Sequence, residues 1–151
     1  MFEIYNLVFF ALWMILTTIF VQAVVLIVAH RMQKNYKVGV IDASLGQQSF
    51  LFRSYRAFWN SIENIVLFFS LVIIAILVNY DSDRLNIITW TYAVSRIGHM
   101  LVYYFIATDR NPSLRSVFWL FGFFAMASLL ADLGLFIMQS ILKKIQSYLI
   151  Y

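Results

Sequence analysis

IITWTYAVSRIGHMLVYYFI, residues 87–106, decides how this chain is read. It is the length of a bilayer-crossing helix, about 20 residues, yet it carries Arg96, His99 and Tyr103 at offsets of 0, 3 and 7. Counting back from Ile106 at ~1.5 Å per residue puts Arg96 about 15 Å deep, near mid-bilayer. An arginine there costs about 2.5–3.5 kcal/mol on insertion scales, so it must face protein, and an intramembrane charge is a functional-site candidate by default.

The rest of the chain supports the membrane reading. Of 151 residues 63% are hydrophobic and 12% charged, too apolar for an ordinary soluble domain. Four stretches qualify as spans: 4–28, 62–78, 85–106 and 117–142. The helical spacing of polar positions in the second and third, with few Gly and Pro inside them, favours helices over barrel strands. The expected fold is therefore an all-α membrane protein, one four-transmembrane-helix domain over 1–151. The first span opens with Glu3 instead of basic residues and far exceeds a signal-peptide core, so it is expected to be retained. No cysteine is present, so thiol chemistry requires an external thiol.

Charge sets the orientation. Arg31, Lys34, Lys37, Arg53 and Arg56 lie between spans one and two, and Arg110 and Arg115 between spans three and four. The positive-inside rule puts these connections in the cytosol and both termini on the other side. The net charge of +4 arises at helix exits, which argues against a nucleic-acid partner. The connection from Ala29 to about Gln48 reads as an ordered loop, and helical character from Phe50 to Ser61 extends span two into the cytosol by about three turns, or ~16 Å. Asn111 and Pro112 read as the N-cap and first residue of the fourth helix, which puts Arg115 and Ser116 in its first two turns, where backbone N–H groups and dipole favour an anion.

On the second helix Arg53, Arg56, Asn60 and Glu63 follow offsets of 0, 3, 7 and 10 and share a face. Glu63 is the expected partner of Arg96, each lowering the other's desolvation cost. Arg31 from the first helix and Arg115 from the fourth converge at the same boundary. The excess of cations over one carboxylate predicts a polar, anionic ligand beside an apolar partner, and spacing alone does not name it. No second histidine or cysteine lies at ligand spacing from His99, so no metal site is expected. Arg53 is expected to be solvated or to face lipid headgroups, His30 to be interfacial, and Asp132 to serve packing or a subunit interface.

In these residues the chain resembles the MAPEG family, membrane-associated proteins in eicosanoid and glutathione metabolism. The helix-two signature appears as Arg56, Ala57, Asn60 and Glu63, and the continuation Glu63, Asn64, Ile65 resembles the microsomal glutathione transferases. Arg96, Ile97, Gly98, His99 with Tyr103, and later Arg115 and Ser116, resemble runs of microsomal prostaglandin E synthase. The resemblance covers most of the chain from Arg31 onward. It implies a homotrimer binding glutathione between subunits near the cytosolic face. By that resemblance Arg31, Arg56, Asn60, Glu63, His99 and Tyr103 would line the cofactor site, Arg115 would hold the thiolate, and Ser116 would donate to the sulfur; Arg96, from its buried position, is expected to contact the cofactor, to fix helix register with Glu63, or both. One departure is Trp119, where the synthase-like pattern has a tyrosine; its N–H donates but cannot accept.

The expected activity is that of a glutathione-dependent membrane transferase or peroxidase acting on lipophilic electrophiles, a detoxification chemistry. The expected setting is a bacterial inner membrane or the endoplasmic reticulum, amid membrane lipids. A non-catalytic lipid-binding scaffold, a glutathione-dependent eicosanoid isomerase or synthase, and a small transporter using the buried charges as a relay remain as competing readings.

Overall fold

The computed structural model describes residues 2–33 and 36–149. Lys34, one of the basic residues used to orient the chain, lies outside them. The described residues form four helices: α1 (Phe2–Arg31), α2 (Phe50–Leu77), α3 (Ser82–Phe105) and α4 (Leu114–Leu149). α3 touches each of the other three, and α4 most extensively.

The core follows helical spacing. Tyr5, Val8, Leu12, Ile15, Thr18 and Gln22 of α1 are buried on one stripe, steps of three and four residues that stay on one face. Of these, Tyr5, Val8, Leu12 and Ile15 form one core cluster with Phe68, Val72 and Ala75 of α2, Leu85, Tyr92 and Ala93 of α3, and Leu129 and Leu133 of α4. The Phe68 and Tyr92 rings stack with 4° between their planes. Large apolar side chains including Phe20, Val66, Ile87 and Phe124 point outward, the surface expected of a chain solvated by lipid.

α1, α2 and α4 are long and apolar enough to cross a membrane. α3, 24 residues long, is less apolar than these three. The reason is packing: Thr89, Tyr92, Ser95, Arg96 and His99 are all buried against neighbouring helices, so α3 carries polar groups where the others carry apolar ones.

Local chemistry fixes the ends. Ser49 caps α2, its hydroxyl accepting from the Phe52 N–H at 3.4 Å, and Asp81 caps α3 by accepting from the Arg84 N–H at 2.9 Å. α2 stops at a Schellman turn: Asn79 takes φ 55°, the Asn79 N–H reaches the Ile76 carbonyl and the Tyr80 N–H the Ala75 carbonyl. Beyond it Tyr80 donates to Asp132 of α4, which also pairs with Arg84 at 3.3 Å. Asp132 thus ties the α2–α3 connection to α4. Burial and the adjacent Asp132 carboxylate push the Tyr80 hydroxyl up to about 12, so it stays a proton donor at any ordinary pH.

α4 begins at Leu114, two residues later than the Asn111–Pro112 reading. Ser113 precedes the first helical residue, and Ser116 reaches back so that its hydroxyl accepts from the Ser113 N–H at 3.2 Å, the reciprocal half of a capping box. Arg115 and Ser116 consequently sit in the first turn.

Candidate functional site

At the end of the bundle where the two basic connections lie, an open cavity of about 570 Å³ is lined by residues from three helices and two connections. α2 contributes Arg56 and Asn60, α3 His99 and Tyr103, and the start of α4 Arg115, Ser116, Trp119 and Leu120. Gln47 comes from the long connection before α2; Asp109, Arg110, Asn111 and Ser113 come from the one after α3. Three guanidinium groups therefore face one carboxylate, Asp109.

Arg115 is buried, at 9% exposure, and held from every direction. Its Nη1 donates to Gln47 Oε1 at 2.8 Å, Nη2 to the Thr108 carbonyl at 2.6 Å and Nε to Ser113 Oγ at 3.4 Å. The guanidinium carbon lies 4.7 Å from the centre of the Tyr103 ring. A guanidinium has five N–H groups, so two remain for a ligand. Ser116 accepts from the backbone and keeps its own hydroxyl proton to donate. His99 packs edge-on against Tyr103 with ring centres 5.0 Å apart, and its Nδ1 has no partner among the described residues.

Arg96 stands behind the cavity wall, 4% exposed. The expected pairing with Glu63 is not formed. Arg96 Nη2 donates to Asn60 Oδ1 at 2.7 Å and to Ser61 Oγ at 3.3 Å, and the single ion pair among the described residues is Arg84 with Asp132. The cause is helical geometry: Glu63 lies about 60° around the axis from Asn60 at 100° per residue, past the edge of the packed face, and is exposed. By engaging the Asn60 carbonyl oxygen, Arg96 leaves the amide N–H groups of Asn60 as its free donors.

The structure thus brings six of the sequence-predicted residues to one cavity: Arg56, Asn60, His99, Tyr103, Arg115 and Ser116. Arg96 supports one of them from behind. Arg31, at the last residue of α1, and Glu63 are exposed on the outside of the chain and do not line it. Arg53 is half-buried instead of solvated, its Nε donating to the Tyr103 carbonyl at 2.9 Å and its Nη1 to those of Gln47 and Gln48 at 2.6 and 3.1 Å. His30 meets the Val40 carbonyl at 2.8 Å and fastens the long connection to α1. Gln47 and Arg110 were not among the expected site residues; no periodicity marks either, since both lie in connections.

Chemically, the cavity is a cationic bowl with one apolar side, Trp119 and Leu120, and with the first turn of α4 opening into it. Such a site favours an anion with several carboxylates and stabilises negative charge near Arg115. Compared with known proteins, the chain matches the model of the MAPEG family over residues 7–135. No curated protein and no solved structure matches it.

Proposed function

This chain belongs to the MAPEG family, which includes glutathione transferases and eicosanoid synthases, and from that premise we propose that it is a glutathione-dependent transferase of lipophilic electrophiles, with peroxide reduction as an extension. The observation that carries the reading is Arg115: buried, in the first turn of α4, lining the cavity and retaining free N–H groups beside the Ser116 hydroxyl.

The residues present fit the tripeptide. At about 570 Å³ the cavity is within the ~300–1,000 Å³ range of small-molecule sites. Arg56 and Arg110 suit carboxylates, Asn60 offers amide donors, and Asp109 suits an ammonium. Glutathione supplies a thiol that becomes a nucleophile once ionised. A free thiol has a pKa near ~8.5, and a guanidinium with a helix N-terminus beside it lowers that value. Arg115 and Ser116 supply both the charge and a hydrogen bond at that point. Trp119, stacked on Phe123 at 5.2 Å, and Leu120 form the apolar flank on which an oily electrophile can rest.

Arg31 and Glu63 enter the reading through assembly. Glu63, a carboxylate exposed on an otherwise apolar outer face, calls for a partner, Arg31 is exposed at the same end of the bundle, and a ring of three copies gives each outward face a neighbour. In the homotrimer Glu63 and Arg31 complete a glutathione site shared between subunits, facing the cytosol.

Titration calorimetry and ultraviolet thiolate absorbance with added glutathione test this. Binding with a thiolate signal at neutral pH is expected. Arg115→Ala should lower kcat by about 10²–10³-fold, the usual loss for one charge-stabilising donor, while affinity changes little. Glu63→Gln should chiefly raise KM. Lipid binding without any glutathione binding would establish the scaffold reading instead.

A further inference from the structure

Every partner of Arg115 is electrically neutral: an amide oxygen, a backbone carbonyl, a hydroxyl and a ring face. The amide is that of Gln47, which reaches Arg115 from 68 residues away in the chain. Gln47 is itself fixed, because Arg53 Nη1 grips its carbonyl at 2.6 Å. The same arginine holds the Tyr103 carbonyl at 2.9 Å, in the last turn of α3, where helix carbonyls lack intrahelical partners and a cation is favoured. Arg53 thereby anchors two of the groups that surround Arg115, the Gln47 amide and the Tyr103 ring.

We propose that Gln47, anchored by Arg53, is a positioning residue that aims the Arg115 guanidinium into the cavity while leaving its positive charge uncancelled. A carboxylate at the same place would accept the same hydrogen bond, but its charge would offset the field that Arg115 exerts on a bound thiolate. A neutral acceptor supplies orientation without that loss. The inference rests on Arg115 facing the glutathione sulfur, and it adds that the type of acceptor at residue 47, and not its reach alone, sets how much of the bound thiol is ionised.

Gln47→Glu tests this directly, since it preserves shape and hydrogen bond and changes only charge. Bound glutathione is titrated by thiolate absorbance on the full chain in detergent or nanodiscs. Gln47→Glu should bind glutathione within a few-fold of the parent while raising the bound thiol pKa by about one to three pH units, the usual span for a charge within 4–6 Å. A merely structural role for residue 47 predicts no such movement. Arg53→Lys, which keeps the charge but loses the fork that spans both carbonyls, should raise the same pKa by a smaller amount, and it serves as the readout if Gln47→Glu does not fold. A parent that gives a thiolate signal, with the titration unmoved in the variants that fold, overturns this inference alone. A parent with no thiolate signal overturns the functional reading and this inference with it.

Discussion

At Gly98, α3 presents no side chain to Phe118 of α4, and a methyl group built there would overlap the Phe118 ring. Gly98 adjoins His99, and Phe118 lies two residues beyond Ser116, so the bare backbone at this point lets the two helices carry their cavity residues side by side. Gly98→Ala gains about 1 kcal/mol of helix propensity but forces the ring aside at a cost of about 1–3 kcal/mol. The thermal midpoint in detergent is expected to fall, by about 2–4 °C per kcal/mol lost. A midpoint at or above the parent's would show that the ring yields freely. The four-residue steps from Arg56 to Asn60 and from His99 to Tyr103 put each pair on one helix face by arithmetic alone, and the expected topology brings these ends and Arg115 to one side of the bundle. The partner of Arg96 is not legible in the same way. Asn60 and Glu63 fit the pattern equally well, and which of them faces α3 depends on a rotation of about 60° that only packing decides. Gln47 carries no signal at all, since a connection has no period to read.

Among the elements, the middle of α4 shows how two contacts of one carboxylate differ in weight. Asp132 meets Arg84 as an ion pair whose side chains are 39% and 66% exposed respectively, and such surface pairs contribute about 0–1 kcal/mol. It also accepts the hydroxyl proton of Tyr80, which is 3% exposed, and an orphaned buried donor costs about 1–3 kcal/mol. Asp132→Ala is therefore expected to lower the thermal midpoint more than Arg84→Ala. Equal losses would mean that the ion pair, and not the tyrosine, is what Asp132 secures. Three of the helices, α1, α2 and α4, are readable from apolar runs, α3 from the spacing of its polar residues, and the beginning of α2 at Phe50 from continued helical pattern. The beginning of α4 is not: Asn111 and Pro112 have start-signal chemistry, but the Ser113 and Ser116 pairing closes the first turn two residues later. Both candidates occur within six residues, and the hydrogen bond that selects between them exists only once the chain has turned.

Taken as one body, the chain is organised around its least apolar helix. All four helices turn apolar side chains outward, but α3 packs most extensively against the others and buries Arg96, with no carboxylate paired to it among the described residues. That burial has a consequence for how the protein is made. If α3 crosses the membrane as its sequence leads us to expect, Arg96 weighs about 2.5–3.5 kcal/mol against its insertion, and the segment has little tendency to leave the translocon by itself. α3 should integrate poorly when offered alone to a glycosylation-reporter insertion assay, and efficiently when offered with α2 or α4. Efficient integration of α3 alone would refute this. Where α3 integrates only with a neighbour, the bundle would be threaded as hairpins, the polar helix emerging from the ribosome sheltered by an oily companion, and a lesion in α2 or α4 would be expected to show first as a failure to thread the chain.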